Sequence, residues 1–378
     1  MSSILWLSWK DHKHPASGGA EVVLMEISKR LVQEGHAVTI LTAEYEGAPH
    51  KEVIDGITFI RVGRNRYFHS FQALRYYIRN LRGNYDVVVE AVNTAPYFAA
   101  LFGGKNTHGK RPSFYLFYHQ LAREIWHYET KFPLNVLGYN VLEPSANLLL
   151  SKSGAGVITV SNSTKEDLVK SGFNSNDINI ISEGIQMQPV ANIETVAKFD
   201  KPTMLSLGAM RAMKQTLHQV KAFEAAKLKM PDLQLKIVGS ANGEYGQEVL
   251  EYIRRSPFAA DIEYLGRVPY ATKLEVMQKS HVVAVTSIKE GWCLVVTEAN
   301  SQGTPAVAYN SDGLRDSIRN GETGYLAIAN TPIALADRIV DVLNDRLTYN
   351  RLRTNAWQWS RRITFDKCYE DFKKVVRI

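Results

Sequence analysis

Two glutamates stand on either side of an apolar stretch in the segment KEGWCLVVTEA, residues 289–299. Glu290 and Glu298 are eight positions apart. A carboxylate only accepts hydrogen bonds and has two oxygens, so it suits a pair of neighbouring hydroxyl groups, one on each oxygen. Glutamates at this spacing also occur by chance, and a helical glutamate is usually a solvated surface residue. The spacing alone leaves both interpretations open.

The residues around the two glutamates predict a strand, a loop and a helix in that order. The apolar run 282–288 predicts the strand, 289–292 the loop, and 294–302 a helix that ends at Gly303. Glu290 would then lie in the loop, and Glu298 about one turn inside the helix.

The start of this helix is a candidate anion site. The first amides of a helix have no acceptor within it and carry the positive end of its dipole, so they bind anions. We expect the amides of Cys293, Leu294 and Val295 to bind a diphosphate. A nucleotide sugar carries a diol on either side of its diphosphate, so two flanking carboxylates match that ligand.

Strand-like and helix-like patterns alternate along the chain and predict α/β domains with parallel, doubly wound sheets. The segment 186–202 separates two such series, so we expect two Rossmann-like domains with a ligand cleft between them. The predicted strands are 4–9, 37–42, 57–62, 86–92, 113–118, 156–160, 203–208, 234–238, 262–265, 282–288 and 306–309.

Composition is that of an ordinary globular protein. The 378 residues are 45% hydrophobic and 22% charged, with a net charge of +7. The two cysteines predict no disulfide framework and favour a reducing cytosol. No stretch resembles a signal peptide or a membrane span.

A metal-held diphosphate is disfavoured, because no Asp-x-Asp motif occurs in the sequence. His12 and His14 stand close together, but no third metal ligand is evident beside them. We therefore expect no metal site. A dehydrogenase is also disfavoured, because no GxGxxG motif follows the first strand.

A basic helix is predicted over residues 71–82. Arg75, Arg79 and Arg82 form one stripe along it, with an apolar stripe beside them. An amphipathic, arginine-bearing helix can lie on an anionic membrane surface, and an ordinary packed helix is the alternative. The segment 119–139 is rich in aromatic residues, which line an acceptor site or belong to the core.

The segment EGWCLVVTEANSQGTPAVAYNSDGLRDSIRNGETGYL, residues 290–326, resembles the retaining family 4 glycosyltransferases. Their fold is the two-domain arrangement called GT-B. The resemblance extends over nearly the whole chain through four further motifs, which are GGAE (18–21), TVSNSTKEDL (159–168), SLGAMRAMK (206–214) and LGRVP (265–269).

The resemblance implies roles for the residues that bind the donor. Glu298 matches the glutamate expected on the ribose hydroxyls, and Glu290, beside Gly291, matches the one expected on the donor sugar. Lys214 matches the lysine that pairs with the diphosphate, as suits a compact point charge. Arg211 is offset from the usual arginine position, which here is Ala209.

Other positions match the resemblance in part. Gly18 and Gly19 match the loop where backbone approaches phosphate and acceptor, and His119 matches a histidine near the donor sugar. The backbone of Arg267 and Val268 lies where the family holds the base. Cys293 replaces the commonest glycine, and a small buried hydrophobe is the favoured interpretation over a nucleophile.

The resemblance implies an acceptor domain at 1–187, a nucleotide-sugar domain at 188–355, and a helix at 356–378 that returns to the first domain. We expect a retaining, metal-independent hexosyltransferase that uses a nucleoside diphosphate sugar and no cofactor. Its acceptor would be a glycan or a lipid-linked glycan, in cell-surface glycan, polysaccharide or glycolipid synthesis. It would be cytoplasmic or peripheral on the inner face of the plasma membrane, without nucleic acid. The alternatives are a nucleotide-sugar epimerase of the same fold and a non-catalytic nucleotide- or glycan-binding protein.

Overall fold

The computed structural model describes residues 1–64, 69–92, 96–105, 109 and 111–378. Two compact units emerge from its contacts. The first consists of Met1–Trp126, Phe132–Gly184 and Thr364–Ile378, and the second of His127–Lys131 and Ile185–Ile363. The main boundaries thus fall after residues 184 and 363, where the sequence predicted them after 187 and 355.

The described residues of the first unit form an eight-stranded sheet. Its strands are β1 (Ser3–Leu7), β2 (Ala37–Thr42), β3 (Lys51–Ile54), β4 (Ile57–Arg61), β5 (Val87–Ala91), β6 (Ser113–Tyr118), β7 (Gly156–Thr159) and β8 (Ile178–Ile180). They are ordered β3-β4-β2-β1-β5-β6-β7-β8. All neighbours are parallel except β3, which pairs antiparallel with β4. The parallel α/β sheet is as predicted, and β3 and β8 were missed.

The helices of the first unit connect these strands. They are α1 (Gly19–Gln33), α2 (His69–Tyr76), α3 (Ile125–Glu129, which runs across the unit boundary), α4 (Leu134–Leu137), α5 (Glu143–Ser151) and α6 (Asn162–Lys170). Ser161 caps α6, because its side chain accepts a hydrogen bond from the Thr164 amide over 3.2 Å.

The helix predicted over 71–82 places most of its apolar stripe inward, although Phe71 at its start is exposed. It begins at His69 and continues beyond α2 as a π-helical turn at Tyr77–Leu81. Leu74 and Ile78 pack against a buried cluster of the first unit, while Arg75 and Arg79 are exposed. Here the structure favours the packed-helix alternative. Among the described residues, no helix combines the length and the hydropathy needed to cross a bilayer.

The second unit has a parallel sheet that the described residues build from six strands. These are β9 (Thr203–Leu207), β10 (Gln234–Val238), β11 (Ile262–Gly266), β12 (Val282–Val285), β13 (Ala306–Ala308) and β14 (Gly324–Leu326), in the order β11-β10-β9-β12-β13-β14. The strand predicted over 282–288 ends at Val285, and the rest of that run forms a buried loop.

Seven helices surround this sheet in the described chain. They are α7 (Thr216–Lys227), α8 (Glu244–Arg255), α9 (Tyr270–Lys279), α10 (Leu294–Ser301), α11 (Leu314–Ser317), α12 (Pro332–Asn344) and α13 (Arg346–Ser360). One large apolar core joins them to the strands. α13 belongs to the second unit, which is why the boundary lies later than predicted.

The last helix, α14 (Phe365–Val376), belongs to the first unit, in agreement with the predicted return of the chain. The ring of Phe372 stacks on that of Trp6, with centroids 5.5 Å apart. Both side chains are fully buried. α14 is therefore a core element of the first unit.

The segment predicted as a linker is attached firmly to the second unit. The ammonium group of Lys198 donates to the carbonyls of Gln278, Ser280 and Gly303 over 2.7–2.8 Å. In the other direction, Arg353 of α13 donates to the carbonyls of Ile193 and Val196, which belong to the predicted linker. These bonds order a stretch that has almost no regular secondary structure.

Candidate active site

Lys214 and Glu290 contact each other through Nζ and Oε1. Lys214 ends a short 3₁₀ turn after β9, and Glu290 lies in the loop after β12. β9 and β12 are neighbours in the sheet, so their carboxyl ends bring both loops together. Two residues that the sequence assigned to one ligand therefore form an ion pair.

Hydrogen bonds tie these two loops directly to each other. The Ile288 amide donates to the Met213 carbonyl over 2.9 Å. The hydroxyl of Thr286 donates to the Lys214 carbonyl over 2.8 Å. The position of Lys214 relative to Glu290 is thus fixed by backbone contacts, independently of their ion pair.

The Lys214 side chain carries its charge in a mostly enclosed place, with 30% of its surface exposed. Burial opposes the charge, but the carboxylate of Glu290 outweighs it and raises the pKa of Lys214. Lys214 is consequently an ammonium ion at neutral pH. It can neutralise an anion that enters beside Glu290.

The start of α10 lies next to this pair. Cys293 is its N-cap and adopts a left-handed backbone, with φ at 76°. The following Leu294 and Val295 open the helix, so their amides have no carbonyl four residues earlier to bond within it. The positive φ explains why a glycine is favoured at this position in the resembling family.

The thiol of Cys293 is poorly suited to attack a substrate. It is 7% exposed. Burial, aided by the nearby carboxylate of Glu290, raises its pKa to about 12. The neutral thiol fits the interpretation of a small buried hydrophobe.

The loop around Glu290 and Gly291 is anchored from behind. The buried side chain of Lys289 forms an ion pair with Asp312. The Glu290 amide donates to the Asp312 carbonyl over 3.0 Å. A Cβ atom on Gly313 would come within 2.4 Å of the Glu290 carbonyl oxygen, and Gly313 has a φ of 76°. This position therefore requires glycine.

Glu298 is paired with a lysine that the sequence analysis did not single out. The Nζ atom of Lys273, on α9, donates to Oε2 of Glu298 over 2.8 Å. Both side chains are partly buried, with 28% and 18% of their surfaces exposed. Lys273 lies in the first turn of α9, shortly after Arg267 and Val268, the backbone positions expected at the base. Arg267 is exposed and Val268 partly buried.

Arg211 has a partner of its own within the second unit. Its guanidinium group lies 3.0 Å from Oε2 of Glu129. About half of the Arg211 side chain is exposed, so this ion pair is weak and readily exchanged. Arg211 precedes the turn that carries Lys214, and the pair leaves Arg211 free to rearrange toward an anion.

The glycines of the first unit stand at the start of α1. Gly18 is the N-cap and Gly19 the first helical residue. The buried carboxylate of Glu21 accepts a hydrogen bond from the Gly18 amide over 2.5 Å. One amide at the start of α1 is therefore already bonded to a carboxylate of the protein, that of Glu21. The sequence did not predict this contact.

His119 follows β6 directly. Its ring stacks on Phe117 with centroids 4.5 Å apart. Its Nδ1 atom lies 3.7 Å from Oε1 of the buried Glu183. Glu183 thus faces the imidazole from the end of Phe132–Gly184, the second segment of the first unit. The sequence had given no signal for it.

The described residues bring some predicted positions together and leave others in the first unit. Lys214, Glu290, Cys293 and the start of α10 form one group in the second unit, with Glu298 farther along the same helix. Within the described ranges, no three metal-ligating side chains converge. The sequence carried no signal for Lys273 or Asp312, since their importance depends on helix and loop packing.

Comparison with known proteins gives two family matches. Residues 17–188 match the model described as Glycosyltransferase Family 4. Residues 191–359 match the model described as Glycosyl transferases group 1. Together the two matches extend over most of the chain.

One relative and two solved structures extend this likeness. An uncharacterized glycosyltransferase from Haemophilus influenzae is 22% identical over 370 residues, covering 96% of this chain and 97% of the relative. Sucrose-phosphate synthase from Thermosynechococcus elongatus matches with a TM-score of 0.75 at 18% identity, covering 100% of this chain and 98% of the other. HepE from Anabaena, solved in complex with UDP-glucose, matches with a TM-score of 0.74 at 17% identity, covering 100% of both chains.

The structural likeness shows the fold, and the family matches identify the kind of protein. The fold class is GT-B, built from two Rossmann-like α/β units. The chain belongs to the GT-B glycosyltransferases of group 1, with a first half of the family 4 type.

Proposed function

We propose that this glycosyltransferase moves a sugar from a nucleoside diphosphate sugar to an acceptor hydroxyl group, with retention at the anomeric carbon and without a metal ion. The observation that carries the proposal is the contact between Lys214 and Glu290 at the start of α10. One cation, one carboxylate and a helix N-terminus there supply complementary groups for a diphosphate and a sugar ring.

In the proposed reaction the diphosphate carries two negative charges in the donor and gains a third as its bond to the anomeric carbon breaks. The ammonium group of Lys214 and the first amides of α10 would bind these oxygens. Fixed groups of this kind act on the charge that develops in the transition state and need no reorganisation. The pKa of Lys214, raised by Glu290 against the effect of burial, keeps the cation available over the physiological range.

The two glutamates would hold the hydroxylated ends of the donor. Glu290 would accept hydrogen bonds from the sugar, and Glu298 from the ribose. Each carboxylate is already oriented by a lysine, Lys214 or Lys273. A carboxylate that is already oriented loses less side-chain entropy when the donor binds.

The bond from the anomeric carbon to the diphosphate would break while a bond to the acceptor oxygen forms on the same face of the sugar. The departing diphosphate oxygen would take the acceptor proton, so no covalent sugar–enzyme intermediate is needed. His119, with Glu183 behind its imidazole, and the Gly18–Gly19 turn are the first-unit groups that we assign to the sugar and the acceptor.

We infer that the acceptor is a glycan or a lipid-linked glycan, in cell-surface glycan, polysaccharide or glycolipid synthesis. HepE, of the same fold, was solved with UDP-glucose, which supports a nucleotide sugar as the donor class. We place the enzyme in the cytoplasm, on the inner face of the membrane when its acceptor is lipid-linked.

A panel of UDP-, GDP- and ADP-sugars tests the proposal. A donor that binds the native state at 100 times its Kd stabilises it by about 2.7 kcal/mol, which raises the Tm. We expect one nucleotide class to do so, and NMR of the product to show an α-linked sugar from an α-linked donor. No shift with any donor, or inversion of the linkage, would contradict the proposal. Conversion of the donor sugar without an acceptor would indicate an epimerase instead.

A further inference from the structure

A helical segment of the first unit carries its apolar residues on the outside. α4 and α5 are joined by a π-helical turn at Gly138–Leu142, so residues 134–151 form one continuous helical segment. We refer to residues 132–152 as the outer helix. The apolar side chains that it exposes are Phe132, Val136, Leu137, Val141, Leu142, Leu148 and Leu149.

Most of these residues share one face of the outer helix. The exposed positions are 132, 133, 136, 137, 140, 141, 142, 145, 148, 149 and 152, and most of them recur every three or four residues. Positions at this spacing lie above one another along a helix. Leu148 is 50% exposed and Leu149 48%. Single exposed apolar residues are common in globular proteins, but seven on one helical segment, with the exposed polar residues Asn140 and Ser145 among them, indicate an interaction surface.

The one acidic residue of the outer helix points inward. Glu143 accepts hydrogen bonds from the amides of Ala122 and Arg123, over 2.6 and 2.8 Å. It also accepts one from the indole of Trp126 over 3.2 Å. The negative charge is therefore used to anchor the helix, and the outer face is free of acid.

The remaining inner positions fix the orientation of the helix. A Cβ atom on Gly138 would come within 2.3 Å of the Trp126 ring. The buried Asn147 accepts a hydrogen bond from the Tyr118 hydroxyl over 3.0 Å. Leu150 belongs to the buried cluster beneath. Rotation that would bury the apolar face would break all of these contacts.

Basic residues border one end of the apolar face. The exposed Lys152 is the last residue of the outer helix. A Cβ atom on Gly172 would lie 3.7 Å from Leu148, so the end of α6 adjoins the outer helix there. Val169 and Lys170, on that end of α6, are both exposed. An apolar face with lysines at its border complements an anionic bilayer, whose head groups are negative and whose interior is apolar.

The size of the face also favours a bilayer over a second copy of the chain. The helical part of the segment, residues 134–151, has 18 residues. It is about 27 Å long and about 10 Å wide, so its face covers about 270 Å². A stable protein interface needs about 800 Å² from each partner. A bilayer sets no such requirement, because its surface extends beyond the helix on all sides.

We propose that the outer helix docks the first unit onto the surface of an anionic membrane, with Val141, Leu148 and Leu149 inserted below the head groups. The proposal assigns the membrane contact to the outer helix and not to the basic helix at 71–82. It does not depend on which donor the enzyme uses. The docking would place the first unit beside acceptors that are carried by lipid.

Co-sedimentation with vesicles of phosphatidylglycerol and phosphatidylcholine tests the proposal. The triple variant Val141→Ser, Leu148→Ser, Leu149→Ser should bind at least about tenfold more weakly than the unchanged protein, because it loses apolar area that would leave water. The matched control is Leu228→Ser, Ile328→Ser, Leu347→Ser, three exposed apolar positions of the second unit. It should bind as the unchanged protein does.

A second pair of variants tests the basic border. Lys152→Glu with Lys170→Glu should weaken binding to the anionic vesicles by about tenfold or more, since each lysine near such a surface contributes about 1 kcal/mol. A dye on Val141→Cys should shift its emission when vesicles are added, whereas a dye on Leu347→Cys should not. Labelling is selective, because Cys293 and Cys368 are buried.

Three outcomes decide the proposal. Loss of vesicle binding in the triple variant, with an unchanged Tm and an unchanged Tm increase on adding donor, supports it. Failure of the unchanged protein to bind vesicles, or equal binding by the triple variant, overturns it. A dimer of the unchanged protein that the triple variant converts to a monomer, without vesicle binding, also overturns it and assigns the face to a second copy. Donor binding is measured separately, so a failure here leaves the proposed reaction untouched.

Discussion

Lys273 holds Glu298 through a hydrogen bond of 2.8 Å between Nζ and Oε2, although the two residues lie on successive helices. The same relationship recurs at Lys214 and Glu290. Each carboxylate that we assign to hydroxyl binding is therefore neutralised and oriented by a lysine. The proposed donor site thus depends on four charged residues.

Replacing Lys273 by methionine should weaken donor binding about tenfold. The variant keeps most of the aliphatic side chain but leaves Glu298 without its partner, so the carboxylate loses its fixed orientation. Calorimetric titration with the donor gives the Kd. Lys279→Met is the matched control, because Lys279 is on the same helix and pairs with Glu275 over 2.7 Å at the surface. Equal Kd values for the two variants would show that Lys273 has no part in the site.

Replacing Lys214 by alanine should lower kcat by a factor of about 10² to 10³, the loss typical of one group that stabilises charge in the transition state. The fold should persist, because the loop that carries Lys214 is held through its backbone. The Ile288 amide donates to the Met213 carbonyl, and the Thr286 hydroxyl donates to the carbonyl of residue 214. Initial rates at saturating donor give kcat, and circular dichroism reports the fold. Lys229→Ala, at an exposed ion pair with Asp337, is the control. Turnover near that of the unchanged enzyme would refute the role.

Glycine and alanine at position 293 should separate backbone strain from packing. Both variants remove the thiol, but only Cys293→Gly relieves the left-handed backbone at φ 76°. We expect the glycine variant to be more stable than the alanine variant by about 1 kcal/mol, even though glycine has the more flexible unfolded chain. Urea unfolding measures the difference. A more stable alanine variant would show that the backbone at this position carries no strain.

His281 should make stability depend on pH between about 4 and 6.5. Burial, with help from Lys198 and Arg353, lowers its pKa to about 4. The Thr203 amide donates to its Nδ1 atom over 3.1 Å, so the folded protein needs the neutral ring. The unfolded chain binds the proton first as pH falls below 6.5, and stability is therefore lost from there down to about pH 4.

The variant His281→Asn isolates that effect. Its amide oxygen can accept the Thr203 hydrogen bond without titrating, so the fall in Tm with pH should be shallower than in the unchanged protein. Between pH 7 and pH 4 and below, the free energy of unfolding of the unchanged protein should fall by up to about 3 kcal/mol more than that of the variant. This figure is the product of the shift in the His281 pKa and 1.36 kcal/mol per pKa unit. Unfolding curves at pH 7, 6, 5 and 4 provide the comparison. Parallel pH profiles for both proteins would contradict the assignment.

The second unit was the easier half to predict from sequence. Strands such as Gln234–Val238 are short apolar runs between helical patterns, and their boundaries follow from that alternation. The contact between Lys214 and Glu290 also depends on local signals, because each follows a buried strand. Lys273 gave no comparable signal, since a lysine in a helix pattern is usually solvated and only the packing of α9 beside α10 brings it to Glu298.

The elements that the sequence did not reveal include β3, β8 and the outer helix in the first unit and β14 in the second. β3 alternates exposed and partly buried residues at the sheet edge, with Val53 exposed, so it lacks the apolar run of a central strand. The outer helix has its apolar face outward and contains a π-helical turn that begins at Gly138. A pattern that assumes apolar residues point inward cannot predict such a helix.

The position of α14 has a consequence for the order in which the protein forms during synthesis. Nearly all of the second unit is one continuous stretch, Ile185–Ile363, and it is synthesised before α14, which belongs to the first unit. The first unit must wait for its last fifteen residues or so, because Trp6 has no stacked partner until Phe372 arrives. The unit whose synthesis begins first is therefore completed only after the second unit has been made, and a nascent chain that stalls before residue 364 lacks the helix that packs on Trp6.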